Sequence, residues 1–463
     1  MVTESLSVLP GLQLEALDAG NYLVTGAGKH FALQALAPAV AAGLEQLFSA
    51  GASKQALDLI VTREGGVGAS LQFDYILEQF LQQGFICRTF ELDGRPLLQI
   101  VPTGRAAPEC VEVVEEGRFR LSRFTLLRRE DAGLVVESPL AHSRLYSADP
   151  RVIGWLAGLA ATLSWDEQAA LLPELDRSSL GRLLGVLLAS SLVEDATLEE
   201  SPERRGWEVH DLYFHASSRL GRSGNGYGST YRMESLLPPQ PLLKPAAGNP
   251  IVSLPKPDLE RLQQEDRPFS AALQARRSLR MQGEVPISLN QLGEFLYRVG
   301  REREVRSDER GETGNRPYPT GGALYELELY LAVNRCQDLE PGLYHYRPLQ
   351  HELSLIASPN PLVQALSAAA GAAIRSAEPP QVLLVMTARF GRVNWKYQSL
   401  AYALILKDVG VVMQTMYLVA TAMDLAPCAI GGGDSDLFAQ AAELNYLSEG
   451  SVGEFALGSI QHS

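Results

Sequence analysis

Between residues 21 and 195 one succession of apolar spacings occurs twice, and that repetition restricts the first part of the chain to small modules of helices and paired strands. In the first copy, Tyr22-Leu23-Val24 and Phe31-Ala32-Leu33 read as strands around Gly26 and Gly28. Pro38 opens a helix through Leu44, Leu47 and Phe48. Ser53 to Thr62 and Phe73 to Gln83 then space their apolar residues along one helical face each. A hairpin follows, Phe85-Ile86-Cys87 and Leu97 to Val101, turning at Asp93-Gly94.

Residues 124–195 repeat the order. Phe124 to Val136 predicts a hairpin around Asp131-Ala132-Gly133. Pro150 opens a helix whose Val152, Leu156 and Leu159 match Val40, Leu44 and Leu47, and Leu180 to Leu188 leads into Leu192-Val193. Three helices with a hairpin wing are the winged-helix pattern, whose commonest use is DNA binding through a basic third helix. Here the third helix of copy one carries Asp74 and Glu78 and no Lys or Arg, and copy two offers only Arg177 and Arg182. A formal net charge of −14 also repels phosphate backbones, so no nucleic-acid partner is expected.

At 463 residues, 46% hydrophobic and 20% charged, the chain suits two to three globular domains. Cys87, Cys110, Cys336 and Cys428 are scattered, which predicts reduced thiols and neither a metal site nor a disulfide frame. Met1 to Leu9 has Glu4 and no basic residue, so no secretion signal is expected. Leu400 to Leu425 is apolar but interrupted by Lys407, Asp408, Gln414 and Asp424, and reads as a buried core helix. The expected setting is cytoplasmic, with no membrane partner. Residues 196–206 are charged and Pro-interrupted, and Pro238, Pro239, Pro241, Pro245 and Pro250 mark an irregular wrapping segment or lid. From Leu259 onward amphipathic helices alternate with strands such as Glu326 to Val333 and Val382 to Thr387, an α+β pattern.

Four patches in this last region carry chemistry. Arg276, Arg277, Ser278 and Arg280 offer guanidinium forks and a hydroxyl that suit a phosphate. Pro319-Thr320-Gly321-Gly322, after Arg316, and Ile430-Gly431-Gly432 form turns whose backbone can approach a flat ring or an anion. Lys396 beside Tyr397, after Asn394 and Trp395, offers a base and a proton-sharing phenol. A free lysine amine is a poor base near neutral pH, so burial or the charges of Arg389 and Arg392 are expected to improve Lys396. Singly, each patch equally suits a solvated Arg cluster, a plain turn, a surface lysine or a helix stop.

Their order and spacing resemble the flavin-binding nitroreductase family, and the adjacent Lys396-Tyr397 pair resembles its azoline oxidase branch, the cyanobactin-type oxidases of ribosomal peptide biosynthesis. The resemblance implies an α+β fold: a nitroreductase-like FMN domain with a central, mostly antiparallel sheet at 259–463. It also implies two winged-helix-like peptide-recognition modules at 1–108 and 109–200, with a linker or wrapping segment at 201–258. Such modules bind a peptide as an added strand on the wing sheet beside the third helix.

By the same resemblance, Arg276, Arg277, Ser278 and Arg280 hold the FMN phosphate and ring edge. Pro319, Thr320, Gly321 and Gly322 reach the flavin from the partner of a homodimer, and Ile430, Gly431 and Gly432 offer N–H groups to its N5 and O4 edge. Lys396 and Tyr397 take the proton as a thiazoline or oxazoline becomes a thiazole or oxazole, with hydride passing to flavin N5 and oxygen reoxidising the flavin. The implied partners are a precursor peptide, with its leader and azoline-bearing core, and an upstream cyclodehydratase. Two departures stand out: Gln398, Ser399 and Leu400 follow the Lys-Tyr pair, and Ala456 to Ser463 ends with no Lys or Arg. Phosphate neutralisation then falls to Arg276, Arg280 and Arg316. The rival enzyme is a general NAD(P)H-dependent nitro- or quinone reductase, and the rival class a winged-helix regulator or scaffold.

Overall fold

In the computed structural model of the chain, residues 1–226 and 227–463 form two compact units. All residues are described except 1, 19, 27–28, 105–109, 115, 131–132, 223, 246–247 and 462–463. The turn positions Gly28, Asp131 and Ala132, the expected boundary between 108 and 109, and the final His462 and Ser463 lie outside the described residues.

The first unit opens its first module with a three-stranded meander, Gln13–Ala16, Tyr22–Gly26 and Lys29–Leu33. Pro38 starts the helix Pro38–Ser49, where a missing N–H leaves no bond unmade. Lys54–Gln82 is a helical run broken at Gly66 (φ 65°, ψ −163°), a conformation glycine tolerates, so the second and third helices are separate. Val40, Leu44 and Leu47, then Leu57 and Val61, then Phe73, Leu77 and Phe80 close one core from the three helices. The hairpin Ile86–Leu92 and Arg95–Pro102 turns through Asp93 and Gly94, both at positive φ.

The second module repeats meander and helices: Leu126–Glu130, Gly133–Glu137 and Ser143–Ser147, then Pro150–Gly158, Trp165–Leu171 and Arg177–Ala189. The middle helix is missing from the sequence reading, although Ser164 and Glu167 form a capping box at its start. The two copies diverge in strand pairing. Val193–Asp195 pairs with Arg118–Leu121, not with a following strand. Ser143–Ser147 pairs with Arg95–Pro102, so both modules contribute to one six-stranded antiparallel sheet. Its order is Val2–Val8, Ile86–Leu92, Arg95–Pro102, Ser143–Ser147, Gly133–Glu137, Leu126–Glu130. The first hairpin therefore has both edges taken by the chain itself. The first module's hairpin thus has no edge for the expected added peptide strand, whereas the outer strands of this sheet are Val2–Val8 and Leu126–Glu130, the latter in the second module's predicted wing.

The second unit is built on a seven-stranded antiparallel sheet in the order Ile251–Ser253, Glu352–Ala357, Gly342–Arg347, Leu327–Val333, Val382–Arg389, Glu449–Ser459, Leu425–Ile430. The two strands Leu327–Val333 and Val382–Arg389 are buried along their whole length, as layers on both faces require. Leu327, Leu329, Leu331 and Val333 point to one side, into a core shared with the helices Leu289–Gly300 and Ala401–Ala422. Tyr330 and Ala332 point to the other, under Pro361–Ala373 and Ser435–Ala441.

Ala401–Ala422 has the length and hydropathy of a membrane span, but Ile405, Val409, Val412, Met416 and Ala420 pack it into the core. Its end is earlier than the expected stop at Pro427. The helix closes at Met423, Asp424 turns at φ 51°, and Pro427 lies inside the edge strand opposite Leu457. An edge strand accepts proline because one side of it makes no ladder bonds. Residues 201–258 are more than a tether: Ile251–Ser253 joins the sheet, and Gly228–Ser229 pairs with Tyr397–Gln398.

Candidate active site

Lys396 is the last residue of a short helix, Phe390–Lys396, that leaves the central strand Val382–Arg389 without a loop. Tyr397 is already extended (φ −105°, ψ 138°) and pairs with Ser229. The Tyr231 N–H donates to the Lys396 carbonyl (3.1 Å), and the Trp395 indole donates to Leu237 O (2.7 Å) while meeting Tyr231 edge-on. The segment after residue 227 is thus strapped across the backbone of the Lys-Tyr pair.

Arg389 and Arg392 serve that strap. Arg389 donates to Pro241 O and Leu242 O and pairs with Glu328. Arg392 donates to Leu324 O, Gln240 O and Glu312 O. Burial, then the positive charge of Arg389, bring Arg392 down to about 10.

Against Lys396 and Tyr397 stands the glycine turn. Gly321–Ala323 is one turn of 3-10 helix with Gly322 at φ 67°. A methyl group at Gly322 would lie 2.6 Å from the Tyr397 hydroxyl and 2.8 Å from Lys396 Nζ. Both side chains are half-buried, and the Lys396 amine stands 5.3 Å from the centre of the Tyr397 ring. Thr320 Oγ1 accepts the Tyr325 N–H (3.2 Å) and closes the turn, while Pro319 is exposed. The Gly321 N–H donates to Asp408 Oδ2 (3.1 Å), which ties the turn to the long helix. Gly322→Ala should cost only about 1 kcal/mol of stability, because the clashing atoms are the mobile ends of side chains and only the left-handed backbone resists. Its effect on turnover should be much larger, since Lys396 and Tyr397 must move. Thermal melts beside rate measurements separate the two.

The remaining predicted residues gather elsewhere. Arg276 caps the helix Phe269–Ala275, and the chain then runs beside the edge strand, with the Leu279 N–H donating to Pro427 O (2.8 Å). Tyr417, on the long helix, organises this group. Its hydroxyl accepts the Ala429 N–H (2.8 Å) and shares a hydrogen bond with Ser278 Oγ (2.7 Å), and the Arg276 guanidinium stands 5.3 Å from its ring centre. Arg280 lies near Cys428, opposing the burial that raises that thiol. Arg277 is exposed, and among the described residues no carboxylate pairs with Arg276, Arg277 or Arg280. Ile430 is buried at the strand end, while Gly431 and Gly432 are exposed, and a Cβ at either would touch nothing within 4 Å. Neither has positive φ, so among the described residues neither backbone strain nor a close neighbour calls for glycine there.

Arg316 joins neither group. It is buried, donates to Glu302 (3.0 Å) and Leu327 O (3.0 Å), and so is corrected from a phosphate ligand to an internal ion pair. The two groups stand at Asp408 and Tyr417 on one helix, nine residues or about 13 Å apart. Along this helix the Lys396–Gly322 group and the Arg276–Ser278–Tyr417 group stand apart, and Gly431 and Gly432 follow Ala429 at the end of the edge strand. Tyr417 was overlooked because a tyrosine in an apolar helix reads as core. Asp408 has a visible signal, the one acid in the largely apolar helix Ala401–Ala422.

Residues 273–459 match the model of the nitroreductase family. A putative nitroreductase of Methanocaldococcus jannaschii is 30% identical over 175 residues, 38% of this chain and 81% of the relative. The chain belongs to the nitroreductase family. Its N-terminal half matches two further models, the ThcOx helix-turn-helix domain over residues 5–108 and cyanobactin oxidase ThcOx over 119–224. The microcin B17-processing protein McbC of Escherichia coli is 32% identical over 114 residues, 24% of this chain and 42% of that protein. In the solved E. coli microcin synthetase McbBCD complex with truncated pro-MccB17 bound, one chain aligns over its whole length with 58% of this one, at 18% identity and a TM-score of 0.35. The protein is therefore an oxidoreductase of the nitroreductase family with an N-terminal half of cyanobactin oxidase type.

Proposed function

We propose that two copies of this chain bind FMN between them and dehydrogenate thiazoline or oxazoline rings in a ribosomally made precursor peptide. The observation that carries this reading is the seat of Lys396 and Tyr397 against Gly322, in a chain whose other half is of cyanobactin oxidase type. Aromatising an azoline removes a proton from one ring carbon and a hydride from its neighbour. Bound FMN supplies the hydride acceptor, and oxygen takes the two electrons afterwards. Lys396 Nζ takes the ring proton, and the Tyr397 hydroxyl beside it orients the amine or passes the proton on.

The residues fit that cofactor. Three guanidiniums that meet no carboxylate among the described residues suit a phosphate dianion, and the open backbone at Gly431 and Gly432 admits a flat ring edge. The separation of the two groups along one helix supports a homodimer. Only 33% of the most apolar window of Ala401–Ala422 is buried within the chain, and Tyr402 and Leu406 are exposed on it. Pairing two such helices about a twofold axis covers that face and sets one chain's Lys396 group opposite its partner's Arg276 group.

Peptide recognition falls to the first unit. The third helix of its first module exposes Val67, Leu71 and Tyr75 at i, i+4 and i+8, by 75%, 66% and 67%, a stripe a lone domain does not normally show to water. Leu71→Asp with Tyr75→Asp should weaken precursor-peptide binding by roughly 10- to 100-fold, from about 1.5 kcal/mol per apolar anchor. Fluorescence anisotropy with a labelled precursor reads the change, and unaltered affinity removes this helix from recognition. The cyclodehydratase that forms the azoline is the expected upstream partner, and the cytoplasm the expected setting.

The test of the whole reading is optical. The purified protein should be yellow, and its colour should bleach under anaerobic conditions with a thiazoline peptide. Rapid bleaching by NADPH with no response to the peptide makes it a general reductase instead, and a colourless protein removes the flavin.

A further inference from the structure

Two carboxyl groups beneath the glycine turn have no role in the chemistry above. Glu326 is 0% exposed, and neither of its oxygens meets a hydrogen-bond donor among the described residues. It lies three residues past Ala323, the end of the turn, its carbonyl fixed by the Arg389 N–H (3.0 Å). The group that faces it is Asp408, itself buried, whose Oδ2 accepts the Gly321 N–H (3.1 Å). Two facing anions in that setting repel, whereas one proton between them makes an O–H donor and leaves Asp408 free to hold Gly321. The other groups around the pair are Arg316 and Tyr318 from the segment before the turn, Arg392 from the helix Phe390–Lys396, and Lys407 beside Asp408. Arg316 is engaged by Glu302 and Arg392 by three carbonyls, and among the described residues neither reaches ion-pair distance of Glu326.

We propose that Glu326 and Asp408 share a single proton and, in that state, seat the Gly321–Gly322 turn against Lys396 and Tyr397, which makes Glu326 a positioning residue of this site. The assignment stands on the geometry of one chain and does not depend on what the site oxidises. Burial first, and the Asp408 carboxyl second, push Glu326 up to about 8, and Asp408 is raised as well. The folded chain therefore keeps a proton that the unfolded chain gives up in the ordinary carboxylate range. Stability from that proton is present at low pH and is lost as the pH climbs from that range through about 8. Above it the turn loses its seat.

Thermal melts of the full-length protein at about pH 6 and about pH 9, wild type against Glu326→Gln, test this. The glutamine carries a permanent N–H donor and cannot ionise. Wild type should lose roughly 4 °C more than the variant across that span, and the alkaline fall of kcat should flatten in the variant. Equal losses in the two proteins overturn the proposal. Should the variant not fold, the wild type alone decides: difference infrared spectra across the same span should show a protonated buried carboxyl vanishing as pH rises, and no such band overturns it. If the azoline reading fails, the melts and infrared spectra still answer.

Discussion

Lys396→Ala is expected to bind FMN as wild type does, yet to lose about 10²- to 10⁴-fold in azoline turnover, the usual contribution of a positioned general base. The colour should survive because Lys396 belongs to the group at Gly322, away from the Arg276–Ser278–Tyr417 group. The fold should survive as well. The helix Phe390–Lys396 is held by Trp395, Arg389 and Arg392, and Lys396 contributes only its backbone carbonyl to the strap. Tyr397→Phe keeps the ring that packs on the core and removes the hydroxyl alone. A smaller loss in that variant assigns the tyrosine to orienting the amine, and an equal one makes it part of the proton path. Stopped-flow rates with a thiazoline peptide read both, and Lys396→Ala at wild-type rate removes the base.

Arg276→Ala with Arg280→Ala should do the reverse and strip the cofactor from a folded protein. A hydrogen bond to a charged group contributes about 1.5–3 kcal/mol. Losing two weakens FMN binding on the order of 10²- to 10⁴-fold, enough for the colour to separate from the protein on gel filtration. Neither guanidinium has a carboxylate partner among the described residues, so the change strands no buried charge and the melting temperature should hold. Arg316 makes the opposite case. Removing it strands the buried carboxylate of Glu302, and the expected result is unfolding, not a colourless native protein.

That contrast shows where reading the sequence stopped. Arg316 and Arg276 look alike in the chain, and only burial separates the internal ion pair of Arg316 from the half-buried Arg276. The local features were legible. Pro38 and Pro150 start helices, Asp93-Gly94 turns a hairpin, and alternation in Leu327–Val333 divides the two cores. The resemblance places the Gly322 turn at a partner's flavin, and its seat against Lys396 and Tyr397 of the same chain is visible only in the fold, since some seventy residues part them in sequence and no spacing rule spans that. Long-range pairing stayed hidden. Nothing local announces that Ser143–Ser147 joins Arg95–Pro102, or that Pro427 sits in an edge strand held by Leu279. Glu326 was read as the first residue of a strand, because its partner Asp408 lies on a helix far along the chain.

The most direct measurement is the mass of a thiazoline-bearing precursor peptide after incubation in air with the purified full-length protein. The account predicts that each ring loses two hydrogens with the yellow protein and none with Lys396→Ala. A peptide of unchanged mass, in the presence of flavin-loaded protein, would contradict it.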